Sequence, residues 1–148
     1  MKNPSSPAPK ILLVDDNPDG LLVRTAVLEE AGFEVQTANG GHEGLECFCA
    51  HHFDVVVTDY RMPLMNGVEL IARLRAVEAN ARIILLSGFV EPLGLTEANT
   101  GADIVIAKSA HEVVHLVRSV RRLTAAPPRK PPVRQEALQN TAGKSGTL

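Results

Sequence analysis

The stretch Val55-Val56-Val57-Thr58-Asp59 sets the terms for the whole chain. Three consecutive β-branched residues fit a strand buried on both faces of a sheet. The run ends in a carboxylate, and Met62-Pro63 and Asn66-Gly67 break regular structure directly after it. In open α/β sheets, ligands bind outside the carboxyl ends of the strands. An acid placed there is a candidate for chemistry, so the rest of the chain is read for what it brings beside Asp59.

The flanking segments alternate in period. Ile11 to Val14 is an apolar run that ends in Asp15-Asp16, a first buried strand with acids at its carboxyl end. Asn17-Pro18 reads as a helix N-cap and first helical residue, and Gly32 as the stop. Between them Val23, Val27 and Ala31 predict the inward stripe. Phe33 to Ala38 alternates like a second strand, and Gly41 to Ala50 is a short helix burying Leu45 and Phe48. After the Asp59 strand, Val68 to Val77 predicts a helix with Val68, Ile71 and Leu74 inward. Arg82 to Leu86 is a fourth strand that delivers Ser87-Gly88. A helix over Val90 to Thr100 is disturbed by Pro92 and Gly94. Asp103 to Ala107 is a fifth strand, ending at Lys108. Ser109-Ala110-His111-Glu112 has the spacing of a capping box and opens a last helix with Val113, Leu116, Val117 and Val120 on one face. Five strands alternating with helices imply an α/β, flavodoxin-like, doubly wound parallel sheet of order 2-1-3-4-5 with helices on both faces.

Periodicity stops after Leu123, where Pro127, Pro128, Pro131 and Pro132 begin a basic tail. The expected organisation is a leader over 1–9, one domain over 10–123 and a disordered tail over 124–148. Aromatic residues make up 3% of the chain, so the core must be aliphatic. A net charge of −2 gives no reason to expect nucleic acid as a partner. No apolar run approaches the roughly 20 residues of a membrane span, and the leader lacks a signal-peptide segment. A cytoplasmic protein without membrane insertion is expected, with Cys47 and Cys49 reduced. Cys47, Cys49, His51 and His52 read as residues of a helix end, not as a zinc site, which needs four convergent ligands. His111 and His115 read as a solvated helix face. Asp15-Asp16-Asn17-Pro18-Asp19-Gly20 imitates a calcium loop, but Ala26 stands where the twelfth ligand would be.

Four strands therefore carry polar groups to one edge: Asp15 and Asp16, Asp59, Ser87, and Lys108. Three close carboxylates repel one another, and a hard divalent cation relieves the repulsion. Oxygen ligands without His or Cys favour magnesium over zinc. A lysine and a hydroxyl beside that cation suit a tetrahedral oxyanion such as phosphoryl, and Asp59 is a candidate nucleophile.

Taken as an ordered set, Asp15-Asp16, Asp59 with Met62-Pro63 and Asn66-Gly67, Ser87-Gly88 and Lys108 resemble the receiver domain of bacterial two-component response regulators. The resemblance covers roughly residues 10–123. It implies a signalling module, not an enzyme, in which Asp59 accepts phosphate from a sensor histidine kinase or a histidine phosphotransfer protein. Asp16 and Asp59 would then bind Mg2+ directly, Asp15 mainly through water, and the Arg61 backbone carbonyl would be a further ligand. Lys108 and the Ser87 hydroxyl would hold the phosphoryl oxygens. Arg61 and Phe89 would flank the path of a hydrolytic water. The oligomeric state stays open between monomer and weak dimer.

Three positions depart from the family pattern. Ser109 replaces the usual proline after the lysine, Val105 replaces the usual aromatic switch residue, and the fourth helix is interrupted. A cis bond before a non-proline residue costs about 2.5–4 kcal/mol, so the Lys108–Ser109 peptide is expected to be trans. These departures keep a second reading open, a degenerate receiver that binds partners without being phosphorylated. A haloacid dehalogenase-type phosphatase would place a second acid where Arg61 stands, and a flavin phosphate would be repelled by the acids.

Overall fold

A computed structural model describes residues 7–88 and 94–125. Phe89, Pro92, most of the leader and the tail beyond Ala125 lie outside the described residues, so the expectations for them have no structural counterpart.

The elements run β1 (Lys10–Val14), α1 (Pro18–Glu30), β2 (Glu34–Ala38), α2 (Gly41–Ala50), β3 (Val55–Asp59), α3 (Gly67–Val77), β4 (Ile83–Ser87), α4 (Glu97–Thr100), β5 (Ile104–Ala107) and α5 (Glu112–Ala125). All strands pair in parallel, in the order β2-β1-β3-β4-β5. This is the doubly wound arrangement expected from the alternation of strand and helix periods. Every residue of β3 and of β4 is buried, as two-sided covering of a parallel sheet requires.

Strand alternation divides the core into two layers. Leu12, Val14, Val56, Ile83 and Leu85 face Phe48 of α2 and Leu70, Ile71 and Leu74 of α3. Ile11, Leu13, Val55, Val57, Ile84 and Leu86 face Leu28 of α1 and Leu116, Val120 and Leu123 of α5. Each fully buried aliphatic side chain contributes roughly 1.5–3 kcal/mol of transfer free energy.

Two local expectations are corrected. Of the inward stripe expected for α1 (Val23, Val27 and Ala31), Ala31 packs half-buried on the core, while Val23 faces outward. The buried residues of the helix are Arg24 and Leu28, while Leu22 is 71% and Val23 53% exposed. Arg24 faces inward to meet Asp15 and, 88 positions away, Glu112. The capping box at Ser109 also does not form. Ser109 Oγ accepts from the His111 amide at 3.2 Å, but the Glu112 carboxylate turns away to Arg24. In the Val90–Thr100 segment, the described helix is a single turn, Glu97–Thr100, opened by a reciprocal cap between Thr96 and Asn99. Asn17 caps α1 as its sequence suggests, accepting from the Asp19 amide at 2.9 Å with Pro18 in the first turn.

Polar contacts tie the sheet margin together away from its carboxyl edge. Arg75 of α3 donates to the Gly101 carbonyl at 2.8 Å and to Asp103 at 3.1 Å, and it also reaches the carbonyls of Ala79 and Ala81. Asp103 in turn accepts from the Ile83 amide at 2.7 Å. On the outer strand, the Val105 amide donates to the Glu97 carboxylate at 2.9 Å.

The loop after β3 closes on itself. The Gly67 amide donates to the Tyr60 carbonyl at 2.8 Å. A Cβ at Gly67 would sit 2.4 Å from the Asp59 carbonyl oxygen and 2.7 Å from Leu85 Cδ1. Backbone cannot yield to such a contact as a flexible side chain can. Gly67→Ala is therefore expected to destabilise by about 1–3 kcal/mol. A lowered urea midpoint at unchanged m-value checks it.

Candidate functional site

The carboxyl ends of β1, β3, β4 and β5 open onto one depression lined by Asp15, Asp16, Asp59, Arg61, Ser87 and Lys108. Parallel pairing aligns these ends, with Asp59 beside Leu86 and Ser87 beside Ala107 in register. The backbone continues the alignment past the strands: the Tyr60 amide donates to the Leu86 carbonyl at 2.9 Å and the Lys108 amide to the Ser87 carbonyl at 3.0 Å.

Asp15, Asp16 and Asp59 each offer a carboxylate oxygen, and these oxygens lie within 4.8 Å of one another. Asp15 and Asp59 are buried and Asp16 is exposed. Among the described residues no other trio of acids, histidines or cysteines converges in this way. Cys47 is half-buried and Cys49 exposed, His52 pairs with Asp54 at 3.3 Å, and His111 and His115 are exposed. The readings of these groups as ordinary helix and surface residues agree with that placement.

Two cations offset part of this negative charge. Lys108 Nζ is ion-paired with Asp59 Oδ1, and its side chain remains one-third exposed. The peptide after it is trans, as expected before Ser109. Arg24 of α1 donates to Asp15 Oδ2 at 2.8 Å and to Glu112 Oε2 of α5 at 2.5 Å. The other Asp15 oxygen accepts from the Asn17 amide at 3.1 Å. Arg24 and Glu112 were invisible to sequence reasoning as site residues. Their contact spans 88 positions, and a lone arginine after Leu21-Leu22-Val23 reads as an outward-facing charge. The one available signal was Gly20, a poor helix former inside the first turn of α1.

Burial raises the Asp59 carboxyl above the ordinary aspartate range; hydrogen bonding from Lys108 opposes that rise and the charge of Asp15 adds to it. An oxygen-only, crowded and partly buried acid set of this kind fits a hard divalent cation and disfavours zinc or copper.

A model of the response regulator receiver domain matches residues 11–121. The chain belongs to that family. The receiver is 32% identical over 132 residues to the gliding motility regulatory protein of Myxococcus xanthus, covering 84% of this chain and 17% of that protein. It is 33% identical over 116 residues to the sensor protein GacS of Pseudomonas syringae pv. syringae, covering 78% of this chain and 11% of that one. The chain thus spans less than a fifth of the length of either relative. Among solved structures, response regulator TrrA of Thermotoga maritima, in complex with Mg2+-BeF, superimposes with a TM-score of 0.71 at 31% identity, covering 78% of this chain and 98% of that one. The signal receiver domain of a histidine kinase from Syntrophus aciditrophicus gives a TM-score of 0.75 at 27% identity, covering 86% and 98%. These likenesses support a general role for the receiver in two-component signalling. No helix among its described residues is long and apolar enough to cross a membrane.

The raised Asp59 pKa has a definite sign in stability. The folded state holds the Asp59 proton more tightly than the unfolded chain does, so this group costs stability once pH exceeds its folded pKa. The cost shrinks as pH falls and is gone below the unfolded value of about 3.9. Asp59→Asn in EDTA should therefore melt higher than the parent receiver at pH 7, and the two melting temperatures should converge toward pH 4. Parallel melting curves across that range, with no convergence, would contradict the assignment.

Proposed function

We propose that this receiver is a phospho-accepting module with Asp59 as the acceptor. The observation that carries this reading is the one sheet edge on which Asp59, two further acids, Ser87 and Lys108 meet. Asp15, Asp16, Asp59 and the Arg61 carbonyl are the proposed holders of Mg2+, which when bound supplies charge neutralisation between the acids and an incoming phosphoryl oxyanion. A trio of mutually close carboxylates supports that ligand set. The hold of Arg24 on Asp15 suits an indirect, water-mediated role for Asp15.

The proposed step is in-line displacement at phosphorus. A carboxylate oxygen of Asp59 forms the new P–O bond while the P–N bond of a donor phosphohistidine breaks. The leaving imidazole keeps the bonding pair and takes a proton. The Lys108 ammonium, now facing Asp59 Oδ1, is placed to follow the charge onto the phosphoryl oxygens. The Ser87 hydroxyl is proposed to donate to another of them. The same geometry suits small-molecule phosphodonors, since positioning and electrostatics do most of the work in phosphoryl transfer.

The proposed partner is a sensor histidine kinase or a histidine phosphotransfer protein, and the proposed working unit is residues 10–123, with the basic tail outside it. Magnesium and acetyl phosphate should add one phosphoryl group to the intact mass of the parent. Asp59→Asn should stay unmodified, and Asp16→Ala should lose the magnesium dependence, a drop in labelling rate of about tenfold or more for a lost ligand. A parent that gains no mass under these conditions favours the phosphorylation-independent interaction module instead.

A further inference from the structure

We propose that Arg24 is an internal competitor for the acid pocket, setting how tightly the pocket holds a divalent cation and linking its occupancy to the start of α5 through Glu112. The inference rests on the reading of Asp15, Asp16 and Asp59 as the magnesium-holding acids.

The burial of Arg24 calls for an explanation. Apolar side chains were available at the adjoining positions, yet Leu22 and Val23 face outward while Arg24 is only 8% exposed. Desolvation by itself would lower the guanidinium pKa, but the contacts with Glu112 and Asp15 more than offset it and raise the pKa. Arg24 is thus charged at every physiological pH. Its position is also provided for locally. A Cβ at Gly20 would lie 2.8 Å from Arg24 Nη1 and 2.9 Å from Asp15 Oδ2. Glycine is a poor helix former, and here its missing side chain is the space the ion pair occupies.

The consequence lies in how one cation divides between two acids. Arg24 neutralises part of the charge that Asp15 would otherwise present to a metal. Lys108 is one-third exposed on a long flexible stem and can swing aside when the pocket fills. Arg24 cannot do so, because Glu112 holds its Nε at 2.5 Å and both partners are buried. Glu112 has the opposite influence on the pocket: by drawing on the guanidinium it weakens the hold of Arg24 on Asp15. Cation binding at Asp15 must reciprocally strengthen the Arg24–Glu112 contact and steady the first turn of α5, since coupling between two sites is symmetric in free energy.

The two sides of the triad therefore shift metal affinity in opposite directions. Calorimetric titration of the unphosphorylated protein with MgCl2 reads this without any phosphotransfer. Arg24→Leu combined with Glu112→Leu removes the cation together with its buried counter-charge, an exchange that proteins commonly tolerate. It should tighten Mg2+ binding on the order of tenfold, because an opposite charge at this range alters a carboxylate's cation affinity by about one to three logarithmic units in proton terms. Glu112→Gln leaves Arg24 wholly to Asp15 and should weaken Mg2+ binding several-fold. Equal affinity in the double variant, or unchanged or tighter binding in Glu112→Gln, overturns the inference. Glu112→Gln keeps the test decisive if the double variant does not fold. A parent with no Mg2+ affinity overturns the receiver chemistry itself, and this inference with it. Binding by all variants at one affinity overturns the inference alone.

Discussion

Negative charge gathered at the buried edge of a sheet is the constraint from which the rest of this structure follows. β3 can bury all five of its residues only because helices cover both faces, and its last residue is an acid. Parallel pairing then brings Asp15 close to Asp59 whatever their charges. Carboxylates taken out of water are costly unless paired. Lys108 from the end of β5 and Arg24 from α1 supply that pairing. The fold and the chemistry are thus one problem: the sheet creates a cluster that requires cations, and the flanking elements are arranged to bring them.

The two cations differ in kind. Lys108 is partly solvated and borne on a segment just beyond a strand, so its charge can be redirected. Arg24 is fixed between a strand end and a distant helix by contacts of 2.8 Å and 2.5 Å. A guanidinium suits that bridging position because it presents several donors in one rigid plane and is weakly hydrated for its charge. The exposed apolar surface of Leu22 and Val23 is the other side of the same choice, since turning Arg24 inward turns its neighbours outward.

Much of this was legible in the sequence. Strand order followed from the alternation of periods, and the residues at the strand ends were recognisable because each apolar run stops at a polar group: Asp15, Asp59, Ser87 and Lys108. The Asn17 cap followed from a local rule, since cap and helix are neighbours in the chain. What escaped was non-local. Glu112 has the spacing of a capping residue, but a buried cation competes for its carboxylate more strongly than a backbone amide does. Arg24 carries no local mark of its role: an isolated cation in a helix usually faces solvent, and nothing near it in sequence announces the partner 88 positions away. Helical periodicity reports average polarity and cannot anticipate an ion pair that reverses it.

The contact between Glu97 and the Val105 amide bears on how this protein can meet another. β5 is an outer strand, and outer strands offer unpaired amides on which a foreign chain can hydrogen-bond and extend the sheet. At the middle of β5 that amide is already occupied by a carboxylate from the chain's own preceding helix. A peptide seeking to lengthen the sheet there would have to evict an anion and leave it without its donor. Main-chain pairing at that point of β5 therefore costs the Glu97–Val105 contact, a barrier to extending the sheet through this residue.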